Sequence, residues 1–134
     1  MLVLSISIPL SYLLGLIFYN AESPEFDISF HTFIGAVIMA PIFETLLMIP
    51  VILILQKFIK NIVILSVLSA LFWGAMHSLQ FIFWGVAVFP LFFFMTMAYK
   101  YWHKISIGHA ILVVMIIHAI NNCAAMFLAA ALES

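Results

Sequence analysis

Charged residues are scarce in this sequence, and each shortage excludes a class of protein. Only 7% of the 134 residues are charged, whereas a soluble domain carries about a quarter. Arginine is absent and lysine occurs four times, against five acids. The chain therefore has no basic surface for nucleic acid, which excludes that partner. A single cysteine rules out an internal disulfide and a cysteine-based zinc cluster.

Apolar residues make up 68% of the chain, and the mean hydropathy is +1.34. Such a chain cannot cover its surface with polar side chains, so lipid must surround most of it. The sequence predicts an all-α, polytopic transmembrane helical bundle of about five spans, forming a single transmembrane domain over residues 1–134. We expect it in the cell (cytoplasmic) membrane, with lipid as a partner. The predicted helices are 2–19, 30–56, 61–80, 83–99 and 106–131.

Polar residues remain inside these helices after the loops are removed, where lipid disfavours them. An ionisable side chain at the bilayer centre costs at least ~2.5 kcal/mol. Glu44, His77 and His118 lie on three different helices but at a similar depth in the membrane. The depth is counted from the lysines at about 1.5 Å per residue. Their agreement predicts a functional site. The polar residues are Glu44, His77, His118, Asn121 and Asn122.

The residues beside these polar groups suggest how the helices approach. Pro41 is predicted to remove the helix hydrogen bond to the carbonyl of Val37 and to kink the chain near Glu44. On a regular α-helix Ala36 and Ala40 would stack below Glu44 at intervals of four. Small residues and a kink together leave room for water beside the carboxylate.

A second stripe of small residues lies on the helix that carries His77. Ala70, Gly74 and Ser78 recur every four residues, which permits a neighbouring backbone to approach closely. On the last helix Asn122 follows His118 by four residues, so both side chains share one face.

Three segments together resemble the motifs of the CPBP family, which comprises CAAX proteases and bacteriocin-processing intramembrane proteases. That family carries Glu-Glu-x-x-x-Arg after an Ala-Pro-like turn, then an aromatic-x-x-x-His helix and a His-x-x-x-Asn helix. The resemblance defines a motif-bearing core over residues 40–125. The matches, in order, are "APIFET" with Glu44, Trp73-x-x-x-His77 and His118-x-x-x-Asn122.

Two positions depart from the family pattern. Thr45 stands in place of the second Glu, and Ile49 stands in place of the Arg. Both charges of that pair are lost together, so neither is left buried without its partner.

The resemblance implies an intramembrane endopeptidase acting on a peptide or membrane-protein substrate. Glu44 and His77 would activate water, and His118 and Asn122 would stabilise the oxyanion. Glu44, His77 and His118 also form a possible zinc set with an open fourth position. The sequence does not choose between the two mechanisms. We favour the metal-independent one, because Asn122 has an oxyanion role and no further carboxylate is placed to orient the histidines.

Two alternatives come from other functional classes. A non-catalytic membrane immunity or partner-binding protein on the same scaffold is the first, and the departures at Thr45 and Ile49 keep it open. The second is a small transporter with a proton relay through Glu44. The remaining histidines lie near helix ends, where imidazole meets lipid headgroups, and are interpreted as lying outside the site. They are His31, His103 and His109.

The lysines predict the orientation of the chain in the membrane. They fall in two loops separated by two helices, which places both loops on one side, and the positive-inside rule makes that side cytoplasmic. The acidic 20–29 segment is then outside. The lysines are Lys57, Lys60, Lys100 and Lys104.

Cysteine labelling from outside intact cells tests this topology. A cysteine at position 24 should react with an impermeant reagent, because the acidic segment is predicted to be external. Cysteines at positions 58 and 101 should not react, because they lie among the lysines. Strong labelling at either of these two positions, with none at 24, would reverse the orientation.

Overall fold

The fold is an all-α bundle. The computed structural model describes residues 29–133 together with positions 6, 9, 10, 13 and 17, which are helical. No β-strand occurs among these residues. The predicted fold class is therefore confirmed, and four of the predicted helices match closely. The described elements are α1 (Phe30–Ile34), a π-helical turn (Gly35–Met39), α2 (Ala40–Phe58), α3 (Ile62–Ser78), α4 (Trp84–Trp102) and α5 (Ile107–Glu133). The predicted helix 2–19 and the acidic segment 20–27 lie outside the described residues, apart from the five positions named.

Polar residues in the turns cap the helices that follow them. The Asn61 side-chain oxygen accepts hydrogen bonds from the N–H groups of Val63 at 2.9 Å and Ile64 at 3.2 Å. Ser106 Oγ accepts from the N–H of His109 at 3.1 Å. These caps satisfy N–H groups that the first turn of a helix leaves unpaired. These caps therefore explain physically why helices begin at the loop positions predicted from the sequence.

The core is shared by all four long helices. Helices α3 and α4 form the most extensive contact, α5 packs on both α4 and α2, and α2 also contacts α3. Within the α3–α4 contact, the hydroxyl of Thr96 donates to Ser69 Oγ at 3.0 Å. The buried apolar residues are Met48, Ile49, Ile52, Leu65, Ala70, Trp73, Leu91, Phe92, Met95, Tyr99, Ala110 and Val114.

The outer faces of the bundle are apolar. Residues Phe30–Phe58 and Ile107–Ala131 form two helices long and apolar enough to cross a membrane, and only 28% and 17% of their most apolar windows are buried. A core helix of a soluble protein would be mostly buried instead. The sequence predicted about five spans, and two of them have the length and composition of a membrane-crossing helix. Ile62–Ser78 is a shorter apolar helix.

The two lysine-bearing turns lie at one end of the bundle, as the predicted topology requires. Lys100 Nζ, near the end of α4, donates to Gln56 Oε1, near the end of α2, at 2.7 Å. This hydrogen bond brings together the two segments that carry all four lysines.

The chain before Glu44 is not the regular α-helix expected from the sequence. The N–H of Ala40 bonds to the carbonyl of Gly35, five residues earlier, as in a π-helix. If this register continued to residue 41, the bond that Pro41 removes would be the one to Ala36 rather than the one to Val37. The π-helical turn also interrupts the stack of Ala36 and Ala40 expected on an α-helix.

Helices α3 and α4 approach through two glycines. A Cβ atom added at Gly74 would lie 2.9 Å from the carbonyl oxygen of Gly85, and one added at Gly85 would clash with the Gly74 carbonyl and Ser78 Oγ. The close approach predicted from the small-residue stripe is therefore confirmed at Gly74. Because backbone atoms form the obstacle, a side-chain rotation cannot relieve it.

Gly85→Ala should lower the thermal stability of the purified protein in detergent. The added methyl group must push the two helices apart, and such overpacking costs about 1–3 kcal/mol. Gly108→Ala is the matched control, because the nearest atom to an added Cβ there is Ser106 Oγ at 3.9 Å. Equal melting temperatures for the two variants would contradict this account of the α3–α4 contact.

Candidate functional site

The structure brings the three ionisable residues of the predicted site together. Oε2 of Glu44, on α2, lies 3.6 Å from Nε2 of His77 on α3 and 3.7 Å from Nε2 of His118 on α5. The side chain of His118 is 3% exposed, against 20% for His77 and 25% for Glu44. One carboxylate oxygen thus faces both imidazoles, inside the bundle and away from the lysine-bearing end.

The orientation of His77 is set by its own helix. Its Nδ1 lies 2.8 Å from the carbonyl oxygen of Trp73, one turn earlier. A carbonyl only accepts hydrogen bonds, so Nδ1 must carry the hydrogen. In the neutral ring Nε2 is then a free acceptor that faces Glu44. The backbone carbonyl one turn before His77 therefore fixes this tautomer.

Phe92 of α4 packs behind both histidines. Its ring centroid lies 5.4 Å from that of His77 and 5.8 Å from that of His118, and it stacks on Trp73 at 5.1 Å. Phe92 is fully buried. One aromatic ring on a fourth helix thus limits the movement of two imidazoles on two others.

Asn122 contacts the start of the glutamate-bearing segment. Its side-chain Nδ2 donates to the carbonyl oxygen of Ala36 at 2.8 Å. The amide carries two hydrogens, so one remains for another acceptor. Asn122 therefore has one side-chain N–H left for the oxyanion role that the resemblance implies.

The two positions that depart from the family pattern face the protein core. Thr45 is fully buried and Ile49 is 8% exposed, so neither lies in the lipid. Glu44 Oε2, Thr45 Oγ1 and His118 Nδ1 are buried with no hydrogen-bond partner within the described part of the chain. The three histidines assigned to helix ends are exposed, as expected: His31, His103 and His109.

Glu44, His77 and His118 are not grouped as closely as a bound zinc ion would hold them. Tetrahedral ligands about 2.0–2.1 Å from zinc lie about 3.3 Å from each other, and the two separations from Glu44 Oε2 are 3.6 and 3.7 Å. Within residues 29–133, no three His, Cys, Asp or Glu side chains are grouped so that they could hold a metal ion.

Sequence reasoning did not identify two contributors to the site. Phe92 was not among the predicted site residues, yet Thr96 and Tyr99 lie four and seven residues later and are buried. That spacing marks the inward face of α4 and was the available signal. The carbonyl of Ala36 had no such signal, because the π-helical register is not visible in the sequence.

Comparison with known proteins identifies the family. A family model described as "Type II CAAX prenyl endopeptidase Rce1-like" matches residues 26–124. No curated protein and no solved structure matches the chain. The matched segment covers most of the 134 residues and includes all four candidate site residues. The chain belongs to the Rce1-like family of type II CAAX prenyl endopeptidases, which are membrane-embedded proteases.

Proposed function

We propose that this protein is a metal-independent intramembrane endopeptidase in which Glu44 activates a water molecule. The observation that carries the proposal is the position of Glu44 Oε2, 3.6 Å from His77 and 3.7 Å from His118. Membership of the family supports endopeptidase activity in general, and this geometry suggests which residues perform it.

Glu44 and His77 are spaced to hold one water between them. A separation of 3.6 Å is too long for a direct hydrogen bond, but a water about 2.8 Å from each atom bridges it. Both Oε2 and the unprotonated Nε2 are acceptors, so this water donates a hydrogen to each. Its lone pairs then remain free to attack a substrate carbonyl.

Hydrolysis follows in two steps. In the first, Glu44 takes one proton from the water as the water oxygen bonds to the carbonyl carbon, and the C=O electron pair moves onto oxygen. In the second, the C=O bond re-forms and the C–N bond breaks. Glu44 returns its proton to the leaving nitrogen, which yields a carboxylic acid and an amine.

The oxyanion of the tetrahedral intermediate needs hydrogen-bond donors. His118 supplies one when its hydrogen is on Nε2, the nitrogen that faces the site. Asn122 supplies the second through the N–H that it does not give to Ala36. Because His118 is almost completely buried, its hydrogen bond acts where water competes little.

The substrate is proposed to be a peptide or membrane protein that reaches the site within the cell membrane. The words "CAAX prenyl endopeptidase" in the family description indicate which kind of substrate to test first. A membrane-tethered peptide ending in a prenylated CAAX sequence is therefore the first substrate to test.

Glu44→Gln should reduce cleavage of that peptide by roughly the 10²–10⁴-fold typical of a lost general base. The amide keeps the shape of the carboxylate but cannot take the proton. Folding should survive, because an amide is no harder to bury than a carboxylate. Glu44→Leu should lower the melting temperature as well, since it leaves neighbouring polar groups unpaired. Both quantities are measured on protein purified in detergent.

Glu133→Gln is the control for this experiment, because it makes the same chemical change at the far end of α5. It should leave cleavage and melting temperature at the parent values. Full activity in Glu44→Gln would end the catalytic assignment. A parent that binds a partner protein, cleaves nothing and tolerates Glu44→Gln would favour the non-catalytic immunity or partner-binding alternative.

Chelators should not reduce cleavage, because the proposed chemistry needs no metal. The purified protein is incubated with 1,10-phenanthroline or EDTA, dialysed and assayed with the same peptide. Activity that falls after chelation and returns when Zn²⁺ is added would contradict the metal-independent mechanism. The Glu44→Gln protein, treated identically, provides the background rate.

A further inference from the structure

The π-helical turn before Glu44 leaves one backbone carbonyl without its helical partner. In this turn the N–H of Ala40 bonds to the carbonyl of Gly35. The next bond in the same register would join the N–H of residue 41 to the carbonyl of Ala36. Residue 41 is proline, which has no N–H. The carbonyl of Ala36 therefore needs another donor.

A side chain from another helix supplies that donor. Asn122 Nδ2, on α5, lies 2.8 Å from the Ala36 oxygen. A backbone carbonyl left unpaired in lipid costs several kcal/mol, so the contact has a strong physical cause. The π-helical turn also packs against α5 as a whole. The hydrogen bond thus fixes the start of the glutamate-bearing segment to the helix that carries His118.

The register of this turn decides where Glu44 points. A π-helical turn contains about one more residue than an α-helical turn. Each residue of an α-helix rotates the chain by about 100° and advances it by about 1.5 Å. If the turn relaxed to α-helix while Ala36 stayed in place, Glu44 would rotate by about that angle, away from His77 and His118.

We propose that Pro41 and Asn122 together lock this π-helical turn and thereby position Glu44. Pro41 removes the backbone donor for the Ala36 carbonyl, and Asn122 replaces it from α5. Asn122 thus has a positioning role in addition to the oxyanion role proposed above. The lock itself does not depend on the proposed function, whereas its effect on turnover does.

A double-mutant cycle in detergent tests the lock. Asn122→Ala should lower the melting temperature by about 5 °C, because it leaves the Ala36 carbonyl unpaired. In the Pro41→Ala background the same change should cost less than half as much, since an N–H at residue 41 can then bond to that carbonyl. Equal losses in the two backgrounds would overturn the lock.

Pro50→Ala gives the control cycle. Pro50 also lies inside α2, but it is exposed and distant in sequence from the π-helical turn. Pro50→Ala and Asn122→Ala should therefore have additive effects on the melting temperature, as expected for independent sites. Coupling of Asn122 to both prolines would show a general effect of proline removal and would overturn the specific lock.

Turnover tests whether the lock positions Glu44. Pro41→Ala should reduce kcat on the order of tenfold, with KM and melting temperature close to the parent values. The new N–H of residue 41 competes with Asn122 for the Ala36 carbonyl, which loosens the connection between the Glu44 segment and α5, and a small misplacement of a catalytic group is costly. Pro50→Ala should keep the parent kcat. An unchanged kcat in Pro41→Ala would overturn the positioning role. A parent that cleaves nothing would refute the proposed function alone, and the melting-temperature cycle would then decide the lock.

Discussion

The burial of one carboxylate in an apolar bundle is the constraint on which the site depends. Glu44 is the only acid in the described helices before the end of α5, and lipid cannot solvate it. Its Oε2 is met instead by His77 from α3 and His118 from α5. Phe92 from α4 packs behind both rings. All four long helices therefore contribute to the surroundings of a single oxygen atom.

The sequence alone predicted the features of this arrangement that have a large free-energy cost or gain in a membrane. Charged turns marked the helix ends, and the cost of burying Glu44, His77 and His118 in lipid marked the site. The π-helical turn could not be predicted, because its register depends on a hydrogen bond from Asn122, 86 residues away. Phe92 was missed because a run of phenylalanines in an apolar helix gives little contrast between its faces.

The departures from the family pattern are easier to understand once their burial is known. Thr45 and Ile49 are four residues apart on α2, so they share a face, and that face is buried in the core. Glu44 precedes Thr45 by one residue and points about 100° away, towards the histidines. An uncharged pair in an apolar core avoids the desolvation that a buried ion pair would need. The substitutions thus change the packing face of α2 and leave the carboxylate that faces the imidazoles.

The two histidines present the same nitrogen to the same oxygen, yet they are not equivalent. The Trp73 carbonyl keeps the hydrogen of His77 on Nδ1, so in its neutral form the Nε2 of His77 can only accept. No described residue bonds Nδ1 of His118, so its hydrogen is free to lie on Nε2 and be donated. Hydrolysis needs an acceptor to hold the attacking water and a donor to receive the oxyanion. In the proposed mechanism, a single carbonyl one turn before His77 therefore divides these two tasks between chemically identical side chains.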